Sequence, residues 1–327
     1  MTPPYFLRPN KTVDRFILIE ILKNLFKLFN ERSYTYYSMA GPFLEDAKLI
    51  HQHFPDLPLV SIEKDKEEFK RQKFHKFCSH IKLHEISLED FLNKFNPRGC
   101  QIFWLDFTDL KYTNFTWFGN LLTLVNNNSI VRITLQCSID DNKRILSLAD
   151  TKEEKEKIKN EVKSKFEGNY LELISKTVTP ELFFDEKEYK ILLQEMIQIK
   201  AQKSLPTASN RIFQILHSSY YRDTTGMLSV TGIVTDLNNL PNIKKQYKSF
   251  PFSNLNWGSP QKIDIPVLSV QERLQIQKHL PSKKKVSTRY LNCLGYRIGY
   301  NDTKHTKMME LYSQFHAYYP YFVKVTI

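Results

Sequence analysis

The stretch Arg211-Ile-Phe-Gln-Ile-Leu-His-Ser-Ser-Tyr-Tyr-Arg-Asp-Thr-Thr-Gly-Met-Leu-Ser-Val-Thr-Gly-Ile-Val234 decides the fold. Its two ends, 211–216 and 227–234, are rich in β-branched and aromatic residues and read as strands. The link through Tyr221-Arg-Asp-Thr-Thr-Gly226 is too short for a crossover between parallel strands, which needs about a dozen residues. The two strands must be antiparallel neighbours.

Upstream the pattern differs. Strand-like runs at Tyr34–Ser38, Leu59–Ile62, Ile81–Leu83, Cys100–Leu105 and Ile130–Leu135 alternate with helical spacings at 44–54, 66–77 and 115–125. A capping-box-like Ser87-Leu-Glu-Asp90 opens a further short helix. Strands separated by helices imply a parallel, doubly wound α/β sheet. Residues 13–29 read as a helix apolar nearly all round and hence buried, with Asp14 near its N-terminus. Thr151-x-x-Glu154 caps a charged helix, and 140–205 is expected to be a helical insertion with a mostly solvated face. The expected organisation is an N-terminal helical segment 1–30, an α/β domain 31–236 and a C-terminal region 237–327. In that region the pattern predicts a loop over 249–266 and helices over 269–279 and 306–318.

The chain has 327 residues, 41% hydrophobic and 25% charged, with 9 Gly and 15 Pro, which excludes a collagenous or wholly disordered protein. No run approaches the roughly 20 apolar residues of a membrane span. The start, Met1-Thr-Pro-Pro-Tyr5, has no basic and apolar leader pattern. Cys78, Cys100, Cys137 and Cys293 lie far apart, so a reducing cytoplasm is the expected location. His75-x-x-Cys78-x-His80-x-x-x-His84 matches no common zinc spacing, and no metal is expected. Neither a G-x-S-x-G elbow nor a G-x-x-x-x-G-K-[ST] loop occurs.

The net charge of +12 is unevenly placed. Residues 1–150 carry 20 Lys/Arg and 18 Asp/Glu, residues 151–239 carry 13 and 13, and residues 240–327 carry 14 and 4. The last segment also holds 13 aromatics. Basic charge attracts phosphates and aromatic faces stack on bases, so 240–327 is the expected nucleic-acid or polyanion contact. Trp257, Lys283, Lys284, Lys285 and Arg289 are its candidates. A solvated Lys-rich surface with packed aromatics is the alternative, and a protein partner is a further expectation.

The strand order resembles a class I S-adenosyl-L-methionine (SAM)-dependent methyltransferase, whose parallel sheet ends in an antiparallel strand pair. The resemblance covers roughly 30–236. Its first motif corresponds to Tyr36-Tyr-Ser-Met-Ala-Gly-Pro-Phe-Leu-Glu-Asp46. The family has several glycines at this turn, where backbone and helix start approach the cofactor; here Gly41 alone remains. The resemblance implies Ser38, Ala40 and Gly41 for the methionine part of SAM. Glu63, ending the second strand, would accept the ribose hydroxyls. Glu85 and Ser87 stand where the family places an acid near the adenine. Asp106 and Phe107, in Leu105-Asp-Phe-Thr-Asp109, stand where the family orients the nucleophile and stacks on a planar acceptor. The prolines usual at this last motif are absent.

The implied function is methyl transfer to a nucleic acid or another polyanion. The glycine-poor first motif leaves a second reading open: an inactive methyltransferase-fold binding subunit, in a prokaryotic defence or mobile-element setting.

Overall fold

The computed structural model describes residues 8–175, 177–280 and 287–319. By its internal contacts the chain divides into two compact units. The larger comprises Leu18–Tyr220 and Thr225–Gln261; the smaller comprises Met1–Ile17, Tyr221–Thr224 and Lys262–Ile327.

The first helix, α1, runs Pro9–Leu25 rather than 13–29. Proline suits a first helical position because its fixed φ is already helical and its missing N–H has no partner to lose. Asp14 therefore lies inside the helix, fully buried, and is not its cap. Phe26, expected within the helix, instead packs edge-on against Tyr34 and Phe54.

Strands and helices then alternate: β1 Tyr34–Ser38, α2 Glu45–His53, β2 Leu59–Glu63, α3 Lys66–Phe74, β3 Ile81–Glu85, α4 Leu88–Asn93, β4 Cys100–Asp106, α5 Tyr112–Leu124 and β5 Ser129–Gln136. β3, β2, β1, β4 and β5 pair in parallel in that order. The insertion holds α6 Asp140–Ser147, α7 Lys152–Tyr170 and α8 Glu186–Ser204. The Thr151/Glu154 capping box forms as the spacing predicts.

α8 corrects the expectation of a mostly solvated insertion. Leu192, Leu193, Met196 and Ile197 are buried in the same core as Phe115 and Phe118 of α5 and Phe103, Leu105, Val131 and Ile133 of the sheet. Its long polar stretches had masked one apolar stripe at helical spacing.

β6 Arg211–Arg222 and β7 Gly226–Asp236 complete the turn of the sheet. β7 pairs antiparallel with β5 over eight residues, from Ser129↔Val234 to Gln136↔Met227. β6 is next in order and joined to β7 by three residues, so this pair is a hairpin. Both strands extend beyond the runs seen in the sequence. Tyr221 and Arg222 belong to β6 rather than to the loop. Gly232 is required by packing: a Cβ there would meet the Phe213 ring at 2.4 Å. The full sheet order is β3-β2-β1-β4-β5-β7-β6-β8.

The remainder comprises α9 Leu240–Lys248, β8 Gln261–Ile263, α10 Val270–Gln277, α11 Thr288–Leu291 and α12 Asp302–Phe315. α10 carries the Ser269/Glu272 capping box expected from the sequence. Tyr290, Tyr312 and Phe315 are buried and form the core of the smaller unit, while Tyr296 and Tyr300 are exposed. No helix among the described residues is long and apolar enough to cross a membrane.

Candidate functional site

Successive residues of a strand point to opposite faces, so register identifies which side chains share a face. Ser38 lies beside Ser61 on β2 and Trp104 on β4; Trp104 lies beside Arg132, and Arg132 beside Thr231. One step further along, Asp106 is level with Thr134, and Thr134 with Ser229. On the outer strands Glu63 is level with Glu85. Ser38, Glu63, Glu85 and Asp106 therefore share one face, at the C-terminal ends of four parallel strands. In open α/β sheets those ends line the ligand crevice.

The turn after β1 is built for close approach. Gly41 has φ +62° and Leu44 φ +54°, both left-handed. Leu44 is the N-cap residue of α2, and no side chain caps the helix's first amides. A buried relay holds the turn: Ser61 Oγ donates to Gln72 Oε1 at 2.9 Å, and Gln72 Nε2 donates to the Gly41 carbonyl at 3.1 Å. Gln72 was not singled out from sequence. The available signal was its i+3 spacing from Phe69, which puts it on the inward side of a charged helix.

Ser38 is buried, and its Oγ finds no hydrogen-bond partner among the described residues. A buried hydroxyl without a partner costs free energy, so the position fits a ligand that supplies one. Ala40 is buried beside it. Glu45 and Asp46 occupy the first turn of α2. Their charge complements the helix dipole.

Glu63 is half-buried, and one of its carboxylate oxygens accepts the Asp65 N–H at 2.8 Å. Burial raises its pKa. A carboxylate has about four acceptor positions, so capacity remains for two hydroxyls. Glu85 is exposed at the matching position of β3. Ser87 caps α4: its Oγ accepts from the Asp90 amide at 3.0 Å and donates to the Asp90 carboxylate at 2.7 Å.

Asp106 ends β4 and is partly exposed. Phe107 is buried, its amide bonded to the Thr134 carbonyl and its ring 5.8 Å from Trp117. It forms part of the core beneath the site. Two residues before Asp106 in the register, the fully buried Arg132 guanidinium lies 4.6 Å over the Trp104 ring and donates to Thr231 Oγ1. Trp104 Nε1 donates to Thr134 Oγ1 at 3.0 Å.

Of the C-terminal candidates, Trp257 and Arg289 fall in different units. Trp257 belongs to the larger unit, where it packs 6.2 Å from Phe213 with its carbonyl held by Gln194. Arg289 is exposed on α11 in the smaller unit. Lys283, Lys284 and Lys285 lie outside the described residues.

No curated protein matches the sequence. Solved structures resemble it at low identity. The plantazolicin methyltransferase BpumL in complex with SAH is 12% identical, with 68% of this chain and 84% of that chain covered and a TM-score of 0.39. Trm1 from Pyrococcus horikoshii with SAM is 9% identical, with 70% and 56% covered and a TM-score of 0.43. A fibrillarin/Nop5p complex is 9% identical, with 63% and 74% covered and a TM-score of 0.35. At such values none of these likenesses speaks to the site or the acceptor. A family model described as "Putative O-methyltransferase" matches residues 3–327, and the chain belongs to that methyltransferase family.

Proposed function

We propose that this protein is a cytoplasmic SAM-dependent O-methyltransferase whose acceptor is a nucleic acid or another polyanion. The observation that carries the reading is the gathering of Ser38, Glu63, Glu85 and Asp106 on one sheet face at the C-terminal strand ends.

Ser38 and the Gly41 turn would hold the methionine part of SAM, and Glu63 the ribose. Bound there, SAM supplies an electrophilic methyl group on a sulfonium. Asp106 would orient the acceptor hydroxyl and take up its proton as the methyl group is transferred. Arg132, Trp104 and Thr134 form the closed polar layer beside it. Positioning and exclusion of water carry the rest of the rate.

Charge supports a polyanionic acceptor. The smaller unit has 15 Lys/Arg against 6 Asp/Glu, whereas the larger has 32 against 29. The basic excess thus belongs largely to one compact unit.

Calorimetric titration with SAM tests the cofactor reading. Glu63→Ala should weaken binding at least tenfold, about 1.4 kcal/mol. Unchanged affinity in the folded variant would remove Glu63 from the site. Absence of SAM binding in the parent would favour a binding subunit. Filter binding over a salt series tests the acceptor reading, since each phosphate neutralised releases counterions. Replacing Lys283, Lys284, Lys285 and Arg289 with Ala should flatten the salt slope and leave SAM affinity intact. Trp257→Ala should cost stability through lost packing. No binding at low salt would refute the nucleic-acid reading.

A further inference from the structure

A cavity of about 380 Å³ lies between the last turns of α8, the start of β6 and the loop that carries Trp257, all within the larger unit. Register identifies the end of the sheet. Arg211 opens β6, Leu237 follows the last residue of β7, and the Leu237 N–H donates to the Asn210 carbonyl at 3.2 Å. β7 ends beside the start of β5, with Val234 level with Ser129. Asp106 is level with Thr134, five residues further along β5, or roughly 17 Å at about 3.3 Å per residue. The cavity is therefore at the N-terminal ends of the parallel strands, and the methyl-transfer candidates are at their C-terminal ends.

Most of the wall is apolar. Ala201, Leu205 and Phe213 line it and are buried. Trp257 also lines it, partly exposed, with its ring 6.2 Å from that of Phe213. Trp257 sits at φ +56°, a left-handed conformation disfavoured for any residue with a Cβ. Hydrogen bonds hold it there. Buried Gln194 donates to the Trp257 and Gly258 carbonyls at 3.1 and 2.9 Å, and Asn254 Oδ1 accepts the Gly258 N–H at 2.9 Å. Backbone strain maintained by its surroundings points to a side chain whose position has a use.

Arg211 brings a charge to this wall. Its guanidinium donates to Asn127 Oδ1 and to the Thr123 and Val125 carbonyls at the end of α5. These acceptors are dipoles, and no carboxylate pairs with Arg211 among the described residues. Burial pushes its pKa down, as expected of a cation held without a counter-ion. Three of the five guanidinium N–H groups are used, so two remain for a ligand. A partly desolvated cation gains most from an anion in the same cavity. One cation balances one negative charge, so a carboxylate suits it better than a phosphate dianion. The two aromatic rings suit a flat ring system. The volume lies near the lower end of organic-ligand pockets, roughly 300–1,000 Å³. Gln202 and Leu237 are exposed at the rim and leave a way in. We propose that this cavity binds a planar aromatic monocarboxylate, at a ligand site separate from that of methyl transfer. The assignment stands whether or not the protein binds SAM.

The test is calorimetric titration of the full chain with four probes: 2-naphthoate, neutral 2-naphthamide, non-planar cyclohexanecarboxylate and the dianion 2-naphthyl phosphate. 2-Naphthoate should bind at least tenfold more tightly than each of the others. Arg211→Gln should erase its advantage over the amide. Because Arg211 also holds the end of α5, a second variant leaves the packing alone. Gln202→Glu, at an exposed position, places a carboxylate at the rim and should weaken 2-naphthoate at least tenfold with 2-naphthamide unchanged. SAM affinity should be the same with and without saturating 2-naphthoate. No binding of 2-naphthoate, equal affinity for acid and amide, or undiminished acid binding in both folded variants overturns the assignment. Equal affinity for cyclohexanecarboxylate overturns the flat ring, and tighter binding of the phosphate overturns the monocarboxylate. Displacement of 2-naphthoate by SAM would put the acid in the cofactor site and overturn the separate one.

Discussion

The two faces of the sheet are written by alternate residues of the same strands, yet they differ in chemistry. On one face Phe103, Leu105, Val131 and Ile133 join α5 and α8 in a continuous apolar core. On the other, Ser38, Ser61, Trp104, Arg132, Thr134, Ser229 and Thr231 are equally buried and polar. Burial of polar atoms is tolerated only where hydrogen bonds replace water, so this face is organised by directional contacts. The apolar face contributes stability through area alone. The polar face positions the strand-end groups, and Ser38 Oγ is left without a partner among the described residues.

Substitutions on the two sides sharpen this contrast. The largest loss is expected on the apolar side: Phe118→Ala, fully buried against Phe213, should cost about 3–5 kcal/mol in a denaturant titration. SAM affinity should be unchanged in the fraction that remains folded. A loss below about 1 kcal/mol would show that this face is not the main source of stability.

Gln72→Leu comes next. It removes both bonds of the relay and leaves Ser61 Oγ and the Gly41 carbonyl unpaired, at a cost of about 1–3 kcal/mol. Unlike Phe118→Ala, it should also weaken SAM binding, because the Gly41 turn loses its support. An unaltered SAM affinity would separate the relay from the site.

Gly41→Ala should cost about 1 kcal/mol, because a Cβ is disfavoured at φ +62°. The same strain should weaken SAM binding; a neutral result would mean that the turn relaxes without consequence.

The smallest effect concerns Glu63. Burial raises its folded pKa, so the folded state binds the proton more readily than the unfolded one. The ionised carboxylate therefore opposes folding at neutral pH, and this penalty fades as pH falls through the folded pKa to the unfolded value. Glu63→Gln should be slightly more stable than the parent at pH 7 and equal to it near about pH 3, while binding SAM less well. Equal stability at both pH values would show that the carboxylate is solvated.

Much of the fold was legible because its signals are local. The short Asp223–Thr225 connection makes an antiparallel hairpin obligatory, and alternating apolar runs mark the parallel strands in any tertiary setting. Caps at Asp65, Ser87, Thr151 and Ser269 bond amides two or three residues away. The acids Glu63, Glu85 and Asp106 could be found because a strand end before a turn is readable from the chain. Other features required the assembled structure. Gln72 bonds across 31 residues to Gly41, so no local pattern announces it. The stripe that seats α8 in the core is masked by its charges, and Phe107 looks like a stacking face until packing encloses it. By itself the sequence determined where strands and helices lie, the hairpin, the helix starts and the uneven charge, all readable within a few residues of chain. Tertiary structure alone decided which polar groups are buried, which find partners and which share a face, because desolvation depends on neighbours far away in the chain.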